Sequence, residues 1–250
     1  MKIRALSMLS GVSRKGCAAL RRAFPGLHRR IQLPLPGRFQ PYNHTLPNRY
    51  PWLFQFARMC LGNKQGLRIL SFGCSRGEEV FSLRSYFPDA AIKGIDIDPR
   101  NIAYCLARAR RGESAGVTFA AAATTEAERE ESYDAIVCLA VLCHGDLTAT
   151  GARHCDPLLR FEDFERMVAD FARCLKPGGL LLLHATNFRF CDTSTSRNFD
   201  PVLEADPGQL APDALFDRDN KLMEGLQYRA VAFRKRGLAA CETTHAVAVS

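Results

Sequence analysis

The clearest pattern of apolar and polar positions lies in the first third of the chain and predicts a strand, a turn and a helix. Arg68 to Phe72 is a short, mainly apolar run that ends at a glycine, which is typical of a buried strand. After Gly77 the apolar residues Val80, Leu83 and Phe87 recur at helical spacing. A glycine turn between such a strand and helix can bring bare backbone close to a ligand.

Further along the chain, apolar runs alternate with amphipathic stretches, which predicts an α/β fold. The predicted strands are 91–96, 117–121, 133–139, 180–185, 215–223 and 228–235, and the predicted helices begin at Pro51, Pro99 and Phe161. The run at 133–139 is apolar on both faces, as a central strand of a parallel sheet requires. Residues 147–160 read as a long loop, and residues 191–211 form no clear element.

The glycine turn does not match the common nucleotide-binding loops. It reads Gly73-Cys74-Ser75-Arg76-Gly77, without the G-x-G-x-x-G of dinucleotide sites or the G-K-[ST] of phosphate loops. The two carboxylates that follow, Glu78 and Glu79, would repel a pyrophosphate. They favour a cationic amine, a sulfonium or ribose hydroxyls.

At these residues the sequence resembles the class I S-adenosylmethionine (SAM)-dependent methyltransferases. The run FGCSRGEEVFSL is most similar to the motif of the chemotaxis receptor glutamate methyltransferases, and LKPGGLLLL at 175–183 is a second similarity to the class. The resemblance implies a single-domain, Rossmann-like α/β fold. Its sheet would have seven strands, mostly parallel, with an antiparallel last strand. It also implies SAM as the cofactor and requires no metal.

The resemblance assigns cofactor contacts to the ends of the first strands. Asp96 stands 23 residues after Gly73, close to the ~20-residue spacing at which Rossmann-type folds place a ribose-binding acid. Asp98, followed by proline, is better explained as a helix cap, and Ile97 could lie against the adenine. The expected cofactor contacts are Gly73, Cys74, Ser75, Gly77, Glu78, Glu79, Asp96, Ile97, Leu139 and Arg49.

Candidate acceptor-side residues follow the fourth and fifth strands and precede the first helix. His144 comes just after the fourth strand and could act as a general base, or only line the pocket or fix the loop. Cys143-His144 and His154-Cys155 do not match zinc-ligand spacing. The expected substrate contacts are Tyr42, His44, Tyr50, Asn187 and Arg189, with Asn43, Phe188 and Phe190 beside them. Arg189 would suit an anionic substrate.

Charge divides the chain unevenly. No Asp or Glu precedes Glu78, whereas 14 of the 34 basic residues do, so the overall charge of +8 conceals an acidic remainder. We therefore expect a basic N-terminal arm at 1–41, a methyltransferase domain at 42–238 and a tail at 239–250. Residues 1–40 could contact nucleic acid or an anionic membrane, cover the site, or form a simple tail.

Cysteine usage and hydropathy indicate the compartment. Ten cysteines without a C-x-x-C pair favour reduced thiols in a cytoplasmic protein. No apolar run reaches the ~20 residues that a transmembrane helix needs. The sequence thus predicts a methyltransferase without a transmembrane segment.

The methyl acceptor stays open at this point. A hydroxyl, amine or carboxylate of a small molecule is the first hypothesis, because residues 1–40 are too short and too rich in proline for the helical domain of the chemotaxis enzymes. A protein side chain is the second. RNA stays open as an acceptor because of the basic arm, although the chain lacks, after the fourth strand, the N-P-P-Y signature of the enzymes that methylate amines of nucleic acids. A non-catalytic SAM-fold module that acts through its basic arm is the rival from another class.

Overall fold

The protein folds around a seven-stranded mixed sheet. The computed structural model describes residues 39–43, 45–113, 116–156, 158–211 and 213–237. Strands β1 to β7 are Arg68–Phe72, Ala91–Asp96, Val117–Ala121, Tyr133–Leu139, Leu175–His184, Phe199–Glu204 and Ala230–Lys235. Helices α1 to α5 are Pro51–Leu61, Glu78–Tyr86, Pro99–Arg108, Gly145–Ala149 and Phe161–Cys174.

The strand order is β3-β2-β1-β4-β5-β7-β6. Strand pairs from β3 through β5 are parallel, and β7 runs antiparallel to both β5 and β6. The predicted mostly parallel seven-stranded sheet with an antiparallel last strand is confirmed. The chain leaves β1 towards β2 on one side, and β4 lies on its other side. In such sheets ligands bind beyond the carboxyl ends of the strands at this reversal.

Alternate residues of each central strand face opposite layers of helices. In β1, Leu70 and Phe72 join the core that contains the aromatic face of α5, whereas Ile69 joins the core that contains α1 and α2. Every residue of β4 is buried, as its apolar sequence predicts. Both layers therefore hold the central strands rigidly and leave only their ends for chemistry.

The predicted turn before β5 is instead a bulge within that strand. Tyr133 pairs with Leu175 and Ala135 pairs with Leu180, so four residues of β5 loop out between two successive pairings. Gly178 takes a positive φ of 76° in this bulge. Hence α5 ends at Cys174 and β5 begins five residues earlier than the sequence predicts.

The prediction of a strand at 215–223 is wrong. This segment makes only isolated bridges, such as Phe216 with Leu222, and it turns at Asn220 with a φ of 64°. The outer neighbour of β7 in the sheet is β6. This strand lies within 191–211, where the sequence predicts no clear element. It was missed because β6 is an edge strand with Pro201 and acidic residues, features that blunt sheet edges and mask periodicity.

Two further expectations concern segments rather than strands. The short helix α4 occupies the start of the stretch that reads as a loop from Leu147. Most of the arm and the tail, which we expect at 1–41 and 239–250, lie outside the described residues. Within the part of the chain that the structure covers, no helix is both long and apolar enough to traverse a bilayer.

Candidate active site

A cleft of about 900 Å³ opens at the carboxyl ends of β1, β2 and β4. Its floor consists of 72–75 after β1, 96–97 after β2 and 139–141 after β4, with 122–123 beside them. The segment 39–50, which precedes α1, supplies the opposite wall. The cleft therefore lies at the reversal of strand order, where ligand binding is expected.

The glycine turn at the floor has a backbone that only small residues allow. Gly73 has a φ of 74°, and a Cβ there would lie 2.4 Å from Val141 Cγ2. The amides of Gly73 and Cys74 both donate to Ile95 O, at 2.8 and 2.9 Å. Ser75, which is not a glycine, also takes a positive φ of 49°, a conformation that is strained for most residues. The neighbouring strand thus holds the turn in one shape.

Asp96 fastens this turn from the end of β2. Its carboxylate accepts from the Ser75 amide at 2.8 Å, from the Asp98 amide at 2.9 Å and from the Asn101 side chain at 2.9 Å. A carboxylate offers about four acceptor positions, so three are occupied. The geometry leaves room for one further donor.

Asp98 caps α3, as predicted. It lies just before the helix, and its side chain accepts from the Arg100 amide at 2.9 Å. Asp98 is therefore explained by the fold, and Asp96 alone of the two acids lines the cleft.

An amide network joins the wall of the cleft to its floor. Asn101 donates to Asn43 at 3.1 Å and accepts from it at 2.8 Å, and the Ser75 hydroxyl donates to Asn43 at 2.8 Å. Asn43 was expected near the cofactor, whereas sequence reasoning missed Asn101. The available signal was its position in the first turn of the helix that Asp98 caps, close to Asp96.

The side chains of the consecutive residues Glu78 and Glu79 lie in different surroundings. Glu79 lines the cleft and accepts from the Ser71 hydroxyl at 2.7 Å. Burial raises its pKa to about 8, although the Ser71 hydrogen bond and the Arg49 charge both act to lower it. Glu78 pairs with Arg108 at 3.3 Å and is not part of the cleft lining. Glu79 is therefore the carboxyl available to a cationic ligand.

Arg49 and Tyr50 form the wall opposite Glu79. The Arg49 guanidinium lies 5.1 Å from the centre of the Tyr50 ring, and both residues line the cleft. The Tyr50 ring meets His184 edge-on at 5.0 Å between centroids. Burial raises the pKa of Tyr50, so its phenol stays protonated. This wall carries one permanent positive charge.

His184, the last residue of β5, escaped the sequence reasoning. It is buried, and burial lowers its pKa to about 4, with the Arg49 charge acting in the same direction. The imidazole is therefore neutral near physiological pH. The signal was its place at the carboxyl end of a central strand, the same argument that selected His144.

His144 immediately precedes the short helix α4 and lies outside the cleft lining. Its backbone amide donates to the Asn187 side chain at 2.6 Å, and that side chain donates to Ala214 O at 2.6 Å. Asn187 has no exposed surface. Both residues are thus placed to hold the loops after β4 and β5 together.

The remaining expected substrate residues divide into two groups. Tyr42 lines the cleft and donates to Asp146 at 2.5 Å. Arg189 forms a two-point ion pair with Asp192, at 2.8 and 2.6 Å. His44 lies outside the described residues. Phe188 and Phe190 are core residues with at most 1% exposure, so the expectation that they reach the substrate is wrong.

Comparison with known proteins identifies the family. The profile described as "Methyltransferase domain" matches residues 63–224, which include the glycine turn, Asp96 and all the parallel strands. The chain belongs to this family. The predicted class I methyltransferase with SAM as its cofactor is confirmed at this level.

Solved structures and curated proteins add less. The chain is similar to phosphoethanolamine N-methyltransferase 2 of Haemonchus contortus (19% identity, TM-score 0.42, covering 68% of this chain and 32% of that one). It is also similar to YcgJ of Bacillus subtilis (19%, 0.41, 54% and 50%) and YjhP of E. coli (26%, 0.38, 56% and 49%). The matches thus span half or less of those proteins' length. No curated protein matches the chain.

Proposed function

We propose that this methyltransferase transfers the SAM methyl group to a hydroxyl, amine or carboxylate of a small molecule. The observation that carries the proposal is the cleft itself. The Glu79 carboxyl, which accepts a hydrogen bond from Ser71, and a cation, Arg49, both line it. A zwitterionic amino acid moiety such as that of SAM complements this pair of charges.

The cleft residues fit the remaining parts of SAM. Glu79 would accept from the ammonium, and Arg49 would meet the carboxylate. The free acceptor position of Asp96 would bind a ribose hydroxyl. Ile97, Leu139 and the alanines at 122–123 offer the apolar surface that a purine needs. No acid follows β3 in the cleft lining, so an adenine contact there would come from backbone.

In this proposal the chain contributes mainly by positioning. Bound SAM supplies a methyl group on a positively charged sulfur. The rigid turn at Gly73–Gly77 and the Asp96 hydrogen bonds hold one end of the ligand in line with the acceptor, and such alignment can supply much of a rate enhancement. Of the two roles left open for His144, fixing the loop beside the site fits its position better than direct proton transfer.

A small acceptor is favoured because the segment 39–50 covers the cleft. Asn43 ties this segment to the floor, and Tyr42 ties it to α4 through Asp146. A protein side chain would have to pass this cover. Tyr42, Tyr50 and His44 are the proposed acceptor-side contacts, whereas the Arg189–Asp192 pair and the burial of Asn187 favour structural roles.

The second candidate is methylation of a protein side chain. The similarity of the Gly73–Glu79 motif to the chemotaxis receptor enzymes favours a carboxylate in that case. We keep the arm at 1–41 and the tail at 239–250 as proposals beside a domain at 42–238. The arm is also the proposed contact for nucleic acid or an anionic membrane surface.

The proposal is tested by measuring release of S-adenosylhomocysteine from the full chain with a panel of small alcohols, amines and carboxylic acids. We expect turnover with one chemical class, lost in Asp96→Ala and kept in Asp98→Asn. Transfer to protein in a cell extract, with none to any small molecule, would favour the second candidate. Binding of SAM without transfer to either would overturn both in favour of a non-catalytic module.

A further inference from the structure

A second cavity of about 780 Å³ lies beyond the carboxyl end of β5. Its walls come from 183–186 at the end of β5, from residues 210, 211, 213 and 215, and from residues 226–228, 230 and 231 around the start of β7. It is not part of the cofactor cleft described above. The polar side chains that face it are His184, Thr186, Asp213, Gln227 and Tyr228.

The two cavities share a wall. The Ala140 amide, in the cofactor cleft, donates to the carbonyl of His184, in the second cavity, at 2.9 Å. The ring of Tyr50, from the cofactor cleft, packs edge-on against the ring of His184. The two cavities therefore adjoin each other at the contact between Tyr50 and His184.

Asp213 is held in the second cavity without a short-range partner. The neighbouring Ala214 is fixed on both sides, because its amide donates to Thr148 at 2.9 Å and its carbonyl accepts from Asn187 at 2.6 Å. Among the described residues, none makes a hydrogen bond or an ion pair with the Asp213 carboxylate. Burial raises its pKa, and only the longer-range charge of Arg49 acts against this.

The other polar groups of the cavity do not offset this carboxylate. No Lys or Arg from the described part of the chain lines the cavity. The Thr186 hydroxyl donates to Phe188 O at 2.6 Å, and the pKa of about 4 leaves His184 neutral. A partly buried carboxylate that lacks a partner is unfavourable until a cation reaches it. An anionic acceptor would meet repulsion here.

Apolar side chains make up much of the remaining wall. They are Leu183, Leu210, Leu215, Leu226 and Val231. A cavity that combines apolar side chains with a few convergent polar groups is typical of small-molecule sites. It therefore suits a ligand that combines one charged group with an apolar substituent.

We propose that this second cavity binds the methyl acceptor as an amine with an apolar substituent, whose ammonium pairs with Asp213. The inference rests on the proposed small-molecule methyltransferase function and names its acceptor class. Before transfer, the ammonium gives one proton to the Asp213 carboxylate, and the amine passes the Tyr50–His184 contact so that its nitrogen reaches the methyl group of SAM in the cofactor cleft. The nitrogen lone pair then forms the new N–C bond while the S–C bond breaks and its electron pair stays on sulfur. The product is a methylated ammonium, and Asp213 returns its proton to solvent.

Arg49 links the two cavities in this scheme. Its charge acts on both Glu79 and Asp213. When Arg49 pairs with the cofactor carboxylate, less of its charge offsets Asp213, so an amine should bind more tightly after the cofactor. This order of binding is a consequence that a simple apolar pocket would not show.

The test uses the full chain saturated with S-adenosylhomocysteine and titrated calorimetrically with hexylamine, hexanol and hexanoate. We expect hexylamine to bind, hexanoate not to bind, and hexanol to bind more weakly. Asp213→Asn should weaken hexylamine binding about tenfold or more, and Asp219→Asn, an exposed carboxylate in the same loop region, should leave it unchanged. Unchanged S-adenosylhomocysteine affinity of each variant serves as the folding control.

Equal binding of hexanol or hexanoate, or unchanged amine binding in Asp213→Asn, would overturn the amine assignment whether or not the variant is stable, because the probe series uses the native chain. A methyl transfer assay separates the two proposals. Transfer to alcohols or acids without amine binding overturns this inference alone. Asp213-dependent amine binding without transfer to any small molecule supports the cavity assignment and overturns the proposed function.

Discussion

Buried carboxylates have opposite surroundings at the two ends of the sheet. At the amino end of β4, Asp134 accepts from Lys176 at 2.6 Å, from the Arg68 amide at 3.0 Å and from Lys64 at 3.2 Å. Burial would raise the pKa of Asp134, but these hydrogen bonds outweigh it and the pKa is lowered. The fold itself supplies the cations.

At the carboxyl end, Glu79 and Asp213 have no comparable partner among the residues that the structure describes. Glu79 accepts one hydroxyl hydrogen bond, from Ser71, and Asp213 accepts none among the described residues. In both residues burial dominates, and the pKa is raised against the opposing charge of Arg49. A carboxylate that the chain neutralises is structural, whereas one that the chain leaves uncompensated in a cleft is a candidate for binding a cationic ligand.

The largest effect is expected on SAM affinity, from a substitution at the carboxyl end of the sheet. Asp96→Ala removes the acceptor that fastens Ser75 and the proposed ribose contact, so SAM affinity should fall on the order of 100-fold. Asp98→Asn keeps the helix cap and should bind SAM normally. Calorimetric titration measures both variants. Equal affinity of Asp96→Ala and the native chain would remove Asp96 from the site.

The next largest effect is expected on stability, from a substitution at the amino end of the sheet. Asp134→Ala should lower the free energy of unfolding by about 1–3 kcal/mol, since it leaves two lysines and a backbone amide without their acceptor. SAM affinity should not change, because Asp134 lies at the opposite end of the sheet. Urea unfolding and calorimetry give the two readouts. A loss of SAM affinity at unchanged stability would contradict the structural role assigned to Asp134.

The pH dependence of stability should have opposite signs at the two ends. The lowered pKa of Asp134 gives stability that is present above its unfolded value of 3.8 and is lost as pH falls through the folded pKa. The raised pKa of Glu79 acts in reverse: the folded state holds the proton more tightly, so stability falls as pH rises from 4.5 to about 8.

Glu79→Gln isolates the second of these slopes. Without ligand, the variant should gain stability over the native chain as pH rises through that window, by at most about 1.4 kcal/mol per pH unit. Thermal unfolding at a series of pH values measures the difference. A constant difference from acid to mildly alkaline pH would show that Glu79 does not titrate with a raised pKa.

The smallest expected effect concerns His144. If the loop beside the site is fixed through the His144 backbone amide, His144→Ala keeps that hydrogen bond and should lower turnover by less than about tenfold, whereas Asn187→Ala removes the acceptor and should lower turnover more. Single-turnover kinetics with a competent acceptor would measure both. A far larger loss in His144→Ala alone, with normal SAM affinity, would restore the general-base role.

The sequence was most informative where local rules decide the structure. Residues close together in sequence determine the β1 strand, the glycine turn and the Asp98 cap, and the structure agrees with these three predictions. The 23-residue spacing in sequence from Gly73 to Asp96 is likewise consistent with the structure, in which both residues line the cleft. The β6 strand was missed because an edge strand with Pro201 loses its periodicity. Asp213 and His184 were missed because the chain brings them together only through β5, β7 and the loop at 210–215.

The most direct test of the central claim measures protons rather than affinity. With a pKa of about 8, Glu79 is mostly protonated near pH 7 in the free protein, and pairing with an ammonium should lower that pKa. SAM titrations in two buffers of different ionisation enthalpy should therefore show proton release approaching one per site, absent in Glu79→Gln. Binding without proton release, or equal release in the variant, would contradict the claim that this carboxyl awaits a ligand cation.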